Sequence, residues 1–184
     1  VQKIIVLIRL LEFINSSDEI SEQENEFVIT VAETFNISHQ EYNQLKEFIE
    51  DKVEYIPNDA HILVINNKDS GYDNECKHIY CATLNNDIRV LKISSVNMYA
   101  LRIYGNIELQ LNGQGISKGR IHILTPGSSL RNSKINPIYY SDIIGRFLED
   151  KTKARISFEA KNIDYKFKGG KLGLRNINIA EESG

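Results

Sequence analysis

Every glycine and every proline of this 184-residue chain lies after residue 52. The first 52 residues carry four basic and eleven acidic side chains, whereas the remaining 132 carry 18 basic and 14 acidic ones. Glycine and proline weaken helices and mark turns, so a stretch without them favours helices and a stretch holding all of them favours short strands joined by turns. The sequence therefore predicts two architectures that meet near residues 55–58.

The composition excludes several classes of protein. With 41% hydrophobic and 26% charged residues, the chain is typical of a folded domain. No apolar run approaches 20 residues, so no transmembrane helix is predicted. The net charge of −3 argues against a general nucleic-acid binder, and two cysteines favour a reducing compartment. Because the sequence begins at Val1 without a signal peptide, we expect a fragment of a longer protein.

The acidic segment predicts a small antiparallel bundle of three helices. Apolar residues recur at helical spacing over residues 2–15, and capping boxes at Ser21–Glu24 and Ser38–Glu41 open two further helices. About 50 residues here resemble the helical TerB-like family, whose acidic turn corresponds to residues 18–24. That resemblance implies that Asp18, Glu22 and Glu24 offer oxygens to a hard cation; the alternative is that they only provide favourable negative charge at a helix N-terminus.

Short apolar runs separated by turn residues fill the middle of the chain and predict a β-sandwich. The runs cover residues 61–65, 79–84, 88–93, 99–104, 107–111 and 120–124. Several end at asparagine or glycine, as at Asn85-Asn86 and Gly105-Asn106. Asn112-Gly113 is a strong signal for a tight hairpin turn.

The end of this region resembles a forkhead-associated (FHA) sandwich, through residues 111–116 and 123–130. The family binds phosphothreonine through a Gly-Arg pair and a Ser-x-x-His motif. Residues 94–97 here read Ser-Ser-Val-Asn, with Asn97 in place of the histidine, and Gly119-Arg120 and Gly145-Arg146 fall after the Asn-Gly turn. The resemblance therefore implies an FHA-like sandwich without its phosphate site. Cys76, His78 and Cys81 have no second ligand pair, so no zinc site is predicted.

The last 30 residues resemble the opening hairpin of an ATP-binding cassette (ABC) domain. The pattern is an apolar strand with two spaced aromatics, a glycine turn and a second strand. Its matching residues are Phe158, Asn162, Ile163, Tyr165, Phe167, Leu174, Asn176, Ile177, Ile179 and Gly184. The resemblance implies that Phe167, with Tyr165 as the alternative, stacks on adenine. No G-x-x-x-x-G-K-[ST] phosphate loop occurs in the sequence, so ATP and Mg²⁺ are expected only in the longer parent protein and no cofactor in this fragment.

These features predict a multi-part α+β protein: a TerB-like helical segment (residues 1–55), an FHA-like β-sandwich with a short terminal helix (residues 56–148) and a truncated nucleotide-binding domain (residues 149–184). The resemblances imply the non-hydrolysing regulatory front end of a bacterial ABC transporter ATP-binding protein, at the inner face of the cytoplasmic membrane. Its expected partners are proteins or the rest of its own chain, with a homodimer in concentrated solution, no nucleic acid, and membrane contact only through the parent. The alternative is a stand-alone protein–protein interaction module.

Overall fold

The computed structural model describes residues 1–17, 20–50, 57–69, 75–148 and 157–182. The helices are α1 (Gln2–Ile14), α2 (Glu22–Thr34), α3 (His39–Glu50) and α4 (Tyr140–Leu148). The strands are β1 (Ile62–Asn66), β2 (Lys77–Tyr80), β3 (Ile88–Ile93), β4 (Met98–Ile103), β5 (Leu109–Leu111), β6 (Gln114–Ile116), β7 (Ile121–Leu124), β8 (Ser129–Arg131), β9 (Ile138–Tyr139), β10 (Ser157–Lys166) and β11 (Leu172–Glu182). Helices followed by sheets and a C-terminal hairpin confirm the predicted α+β class.

The three N-terminal helices begin where the sequence predicts them. The Ser21 N–H donates to the Glu24 carboxylate at 2.9 Å and the Glu24 N–H donates to Ser21 Oγ at 3.2 Å, which completes the predicted capping box. The Ser38 hydroxyl accepts from the Glu41 N–H at 3.2 Å at the start of α3. Each cap satisfies N–H groups that the first turn of a helix leaves unpaired, so the caps fix where the helices start.

A five-stranded sheet in the order β2-β1-β3-β4-β7 forms the centre of the first compact unit, Val1–Phe147. β1 is parallel to β2, and every other pairing in this sheet is antiparallel. All five residues of β1 are buried, and so are five of the six in β3 and in β4. Nearly continuous apolar strands of this kind are typical of a sheet that is covered on both faces.

The helices α1, α2 and α3 cover one face of this sheet, and the second sheet together with α4 covers the other. One core joins the helical residues Leu7 and Leu45 to Val64 and Ala100 of the sheet. The opposite core joins Leu101 and its neighbours to the four-stranded sheet, β6-β5-β8-β9, and to α4. The predicted boundary between residues 55 and 56 lies outside the described residues, and the helices before it share a core with the five-stranded sheet after it.

Side chains of α1 protect an open edge of the five-stranded sheet. β7 is the last strand of the sheet order, so one side of its backbone lacks a neighbouring strand. The Ile121 N–H donates to the Glu12 carboxylate, and the Ile121 carbonyl accepts from Arg9 Nη1 at 3.0 Å. Arg9 and Glu12 are also paired with each other. One turn of α1 thus supplies the donor and the acceptor that a sixth strand would supply.

Arg102 of β4 fixes the C-terminal end of α3 against the sheet. Its guanidinium donates to the Phe48 carbonyl at 3.0 Å and also to the carbonyl of Ile49. Carbonyls in the last turn of a helix have no partner within the helix and carry partial negative charge, so a cation there is favourable. The Arg102 guanidinium also lies 4.9 Å from the centre of the Tyr104 ring, which orients it.

The second compact unit, Leu148–Gly184, contains the hairpin of β10 and β11. The predicted glycine turn is present, with Gly169 and Gly170 at φ values of 112° and 83° that L-residues rarely adopt. No described side chain of the hairpin is buried. The hairpin therefore has strands and a turn but no core of its own.

Some strand predictions are wrong in detail. The predicted strand at residues 79–84 is observed from Lys77 and ends at Tyr80, and Leu84 is a fully buried turn residue. β6, β8 and β9 have only two or three residues each and were not predicted. Among the described residues, no helix is long and apolar enough to cross a membrane.

Candidate functional site

The two aromatic residues predicted to stack on adenine lie together near the tip of the hairpin. The ring centres of Tyr165 and Phe167 are 5.2 Å apart and their planes are at 83°, an edge-to-face contact. The two residues are 52% and 54% exposed, so each has surface available to a ligand. The structure brings both candidates to one place, and the choice of Phe167 over Tyr165 stays a prediction.

Gly173 on the opposite strand determines where the Phe167 ring lies. A Cβ atom at residue 173 would fall 2.6 Å from the Phe167 ring, so the ring packs directly on the glycine backbone. The Phe167 N–H donates to the Lys171 carbonyl across the turn at 2.8 Å. The side chain is thus held against its own hairpin.

Two asparagines in the left-handed conformation introduce bulges into the hairpin. Asn162 and Asn176 have φ values of 56° and 51°, and the strand register shifts beside each of them. The Asn162 N–H donates to Asn178 Oδ1 at 2.9 Å and the Asn176 N–H donates to Asp164 Oδ1 at 2.7 Å. With these bulges Tyr165 pairs with Leu174, and a third register shift follows between Tyr165 and Lys166.

The hairpin lacks the phosphate-loop motif with which an ATPase binds phosphates. The sequence contains no phosphate-loop motif, and Gly169-Gly170-Lys171 is the hairpin turn rather than the start of a helix. Binding of the triphosphate needs backbone N–H groups at a helix N-terminus, a lysine and a hydroxyl on Mg²⁺. The most that this part of the chain offers a nucleotide is an aromatic surface for its base.

The residues that resemble FHA motifs fall at separate turns. Residues 94–97 form the connection between β3 and β4, a single 3-10 turn that ends at Asn97 with φ 48°. Asn112-Gly113 forms the predicted tight hairpin between β5 and β6. Arg120 lies immediately before β7 and Arg146 lies on α4. The residues of the FHA motifs are therefore distributed over two turns, the start of β7 and α4.

A buried polar cluster, which the sequence patterns did not predict, crosses the start of β3. Arg89 is fully buried, its Nη2 lies 3.6 Å from Asp87 Oδ2 and its guanidinium stacks on Tyr104. Asn66 donates from Nδ2 to Asp87 Oδ1 at 2.9 Å, and its Oδ1 lies 3.1 Å from His78 Nε2. The charges within the cluster are paired, so it joins β1, β2 and β3 rather than offering a reactive group.

Burial and nearby cations change the acid–base behaviour of two residues near this cluster. Burial lowers the pKa of His78, and the positive charge of Arg146 lowers it further. Burial raises the pKa of the Cys76 thiol. Cys76 and Cys81 are free thiols, and a raised thiol pKa makes Cys76 a poor nucleophile.

Of the three acidic residues that were candidates for binding a cation, Glu22 and Glu24 lie among the described residues. Asp18 lies outside the described residues. Hydrogen bonds from Ser21 hold the Glu24 carboxylate in its cap and lower its pKa. No group of three or more potential metal ligands occurs within the described ranges.

A cleft of about 790 Å³ lies at one end of the paired sheets. Three connections line it, those after β2, β4 and β8, together with residues of β5 and β6. Five of the lining residues carry side-chain amides: Asn85, Asn86, Asn106, Gln110 and Asn132. Asn85, Asn86 and Asn106 were predicted as turn residues. A signal was present nonetheless, since several successive apolar runs of the sequence are followed within two residues by asparagine.

The chain matches no protein-family model, no curated protein and no solved structure. Any function for the chain must therefore be argued from its own residues and from the resemblances seen in its sequence.

Proposed function

We propose that the chain is the regulatory front end of an ABC transporter ATP-binding protein, in which the hairpin begins the nucleotide-binding domain. The sequence resemblance over the last 30 residues supports this proposal by its order and spacing. The helical unit and its sheets would serve as the interaction part of the protein. The parent protein, and not this chain, would bind ATP and Mg²⁺.

The open apolar surface of the hairpin is the observation that carries the proposal. Phe158 is 61% exposed, Leu174 is 47% exposed and Ile179 is 41% exposed. An isolated two-stranded hairpin is only marginally stable in water unless further strands or a helix cover it. The remaining strands of a nucleotide-binding domain would provide that cover.

The proposed function also implies a cellular location and binding partners. The parent would sit at the inner face of a bacterial cytoplasmic membrane, and membrane contact would come through other parts of it. Proteins, or the rest of its own chain, would occupy the hairpin edges, and two copies would pair in concentrated solution. If light scattering gives the monomer mass of about 21.1 kDa at every concentration, the proposed dimer is wrong.

The deciding experiment compares this chain with a version extended by about 200 residues of its native gene, roughly one more domain. We expect Mg²⁺-dependent ATP hydrolysis by the extended chain only. Hydrolysis by neither, together with no binding of a fluorescent ATP analogue, would contradict the proposal.

Variants of Phe167 in the extended chain test its role. Because stacking of a base on an aromatic ring contributes about 1–3 kcal/mol, Phe167→Leu should raise the KM for ATP roughly fivefold or more. Phe167→Tyr keeps a ring and should restore the KM, and Tyr165→Leu is the matched comparison. If only Tyr165→Leu raises the KM, Tyr165 is the stacking residue.

A stand-alone interaction module is the second candidate function. The amide-lined cleft favours it, because this cleft is built from unit Val1–Phe147 alone. If the extended gene encodes no phosphate loop within some ten residues of Gly184, this alternative replaces the first.

A further inference from the structure

The amide-lined cleft has the hydrogen-bonding pattern of a binding site. Three of its asparagines already use their oxygens within the fold. Asn85 Oδ1 accepts from Asn67 at 2.9 Å, Asn106 Oδ1 accepts from Lys118 at 2.8 Å, and Asn132 Oδ1 accepts two backbone N–H groups at 2.7 and 2.8 Å. A primary amide has two donor hydrogens besides its acceptor oxygen. The fold therefore orients three amide groups while leaving their NH₂ donors without a partner among the described residues.

The charge and shape of the lining restrict what can bind. Glu108 and Lys134 contribute one charge of each sign, and no arginine is among the described residues of the lining. A phosphate group needs several convergent cationic donors, so the lining does not suit one. The described lining contains no aromatic ring, which disfavours sugars, whose rings pack on aromatic side chains. A lining that is nearly neutral and rich in hydrogen-bond donors suits a ligand with several uncharged hydrogen-bond acceptors.

An edge strand borders the same cleft. β6 is the outermost strand of its sheet, so it has a neighbour on one side only, and its Gly115 and Ile116 line the cleft. Gly115 is exposed and has no side chain to shield the backbone. Extended peptides commonly bind beside such edges and offer one carbonyl per residue to the donors around them.

We propose that the cleft formed by the amide residues 85, 106 and 132 and the β6 edge binds an extended, unphosphorylated peptide segment of a protein partner through its main-chain carbonyls. Ile107, Leu109 and Ile116 supply apolar surface for one or two of its side chains. The proposal does not depend on the ATPase link, since no residue of the β10–β11 hairpin lines the cleft.

Gly115 gives a direct way to block the cleft. A Cβ atom at residue 115 would meet nothing within 4 Å, and its φ lies outside the left-handed region, so a larger residue is tolerated there. Gly115→Phe fills the cleft with a ring. Gln114→Phe is the matched control, because it places the same ring one residue away at an exposed position that does not line the cleft. Ser133→Trp, at another lining residue that is exposed, blocks the cleft if the first variant fails to fold.

The probe is a displayed library of random twelve-residue peptides, selected on the native chain and then synthesised without phosphate. We expect selected peptides to bind Gly115→Phe and Ser133→Trp at least about tenfold more weakly, a loss of roughly 1.4 kcal/mol, and Gln114→Phe unchanged. Replacing single peptide side chains by alanine should cost less than replacing a central amide by an ester, which weakens the carbonyl acceptor.

Several outcomes would overturn the proposal. These are the absence of enriched peptides, equal binding by the blocked variants, or binding that appears only after a peptide threonine is phosphorylated. Binding of maltotriose that is lost in Gly115→Phe, without peptide binding, would assign the cleft to sugars instead.

Discussion

The central sheet and the C-terminal hairpin are built from similar residues but end in opposite surroundings. Leu101 of β4 is completely buried between the two sheets, and the adjacent Ala100 is buried on the helical side. Leu174 of β11 is 47% exposed although it too lies in an apolar, alternating strand. The comparison teaches that an apolar strand pattern shows which face can be buried, but burial also requires another part of the protein to pack on that face.

Truncating one leucine in each region tests this difference and should give the largest effect. Leu101→Ala leaves a cavity in a closed core and should lower the free energy of unfolding by about 2–5 kcal/mol. Leu174→Ala removes a half-exposed side chain and should change it by no more than about 0.5 kcal/mol. Urea unfolding followed by circular dichroism measures both. A loss for Leu174→Ala as large as that for Leu101→Ala would show that the hairpin has a buried partner.

The protected edge of β7 offers a second contrast with the open hairpin edges. Glu12→Ala leaves the Ile121 N–H without its acceptor and Arg9 without its carboxylate, so it should cost about 1–3 kcal/mol. Glu26→Ala, on the exposed surface of α2, is the control and should cost little. If both substitutions have equal effects in thermal unfolding, the Glu12 contact does not stabilise the edge.

His78 should make the free energy of unfolding of the unit Val1–Phe147 depend on pH, and this should be the smallest of the three effects. Burial lowers the pKa of His78 below its ordinary value near 6.5, so the unfolded chain binds this proton more readily than the folded one. His78 therefore destabilises the fold as the pH falls from 7 through 6.5 toward the lowered pKa. His78→Gln should flatten the dependence of the urea midpoint on pH in this window.

His39→Gln, at an exposed position of α3, is the matched control for loss of an imidazole. Identical curves for native protein and His78→Gln would exclude a contribution from His78.

The local parts of the fold were predictable because they depend on neighbouring residues. The capping box at Ser21–Glu24 is a four-residue pattern, and the Asn112-Gly113 turn needs only two residues that accept positive φ. Leu84 shows the limit: its apolar run continued past the strand, because a buried turn looks the same in sequence as a strand end. Strands as short as β9 have too few residues to show alternation.

The contacts between layers were not predictable, since they join residues far apart in sequence. The run at β1 indicates burial on both faces but does not say that helices take one face and a second sheet the other. The adenine-stacking residues Tyr165 and Phe167 came from a resemblance, and the structure adds only that they touch. The amide cleft arises because three separate connections meet at one end of the sheets, which no local pattern records.

The protection of the β7 edge by α1 has a consequence for folding during synthesis of the chain. Glu12 and Ile121 are 109 residues apart, so α1 leaves the ribosome long before the strand it protects. At about 5–20 residues per second, the interval is roughly 5 to 20 seconds. During that time the apolar surface of the helices can pack only within the helical bundle, because the sheet is not yet complete. We therefore expect chaperones to bind the nascent chain in this interval.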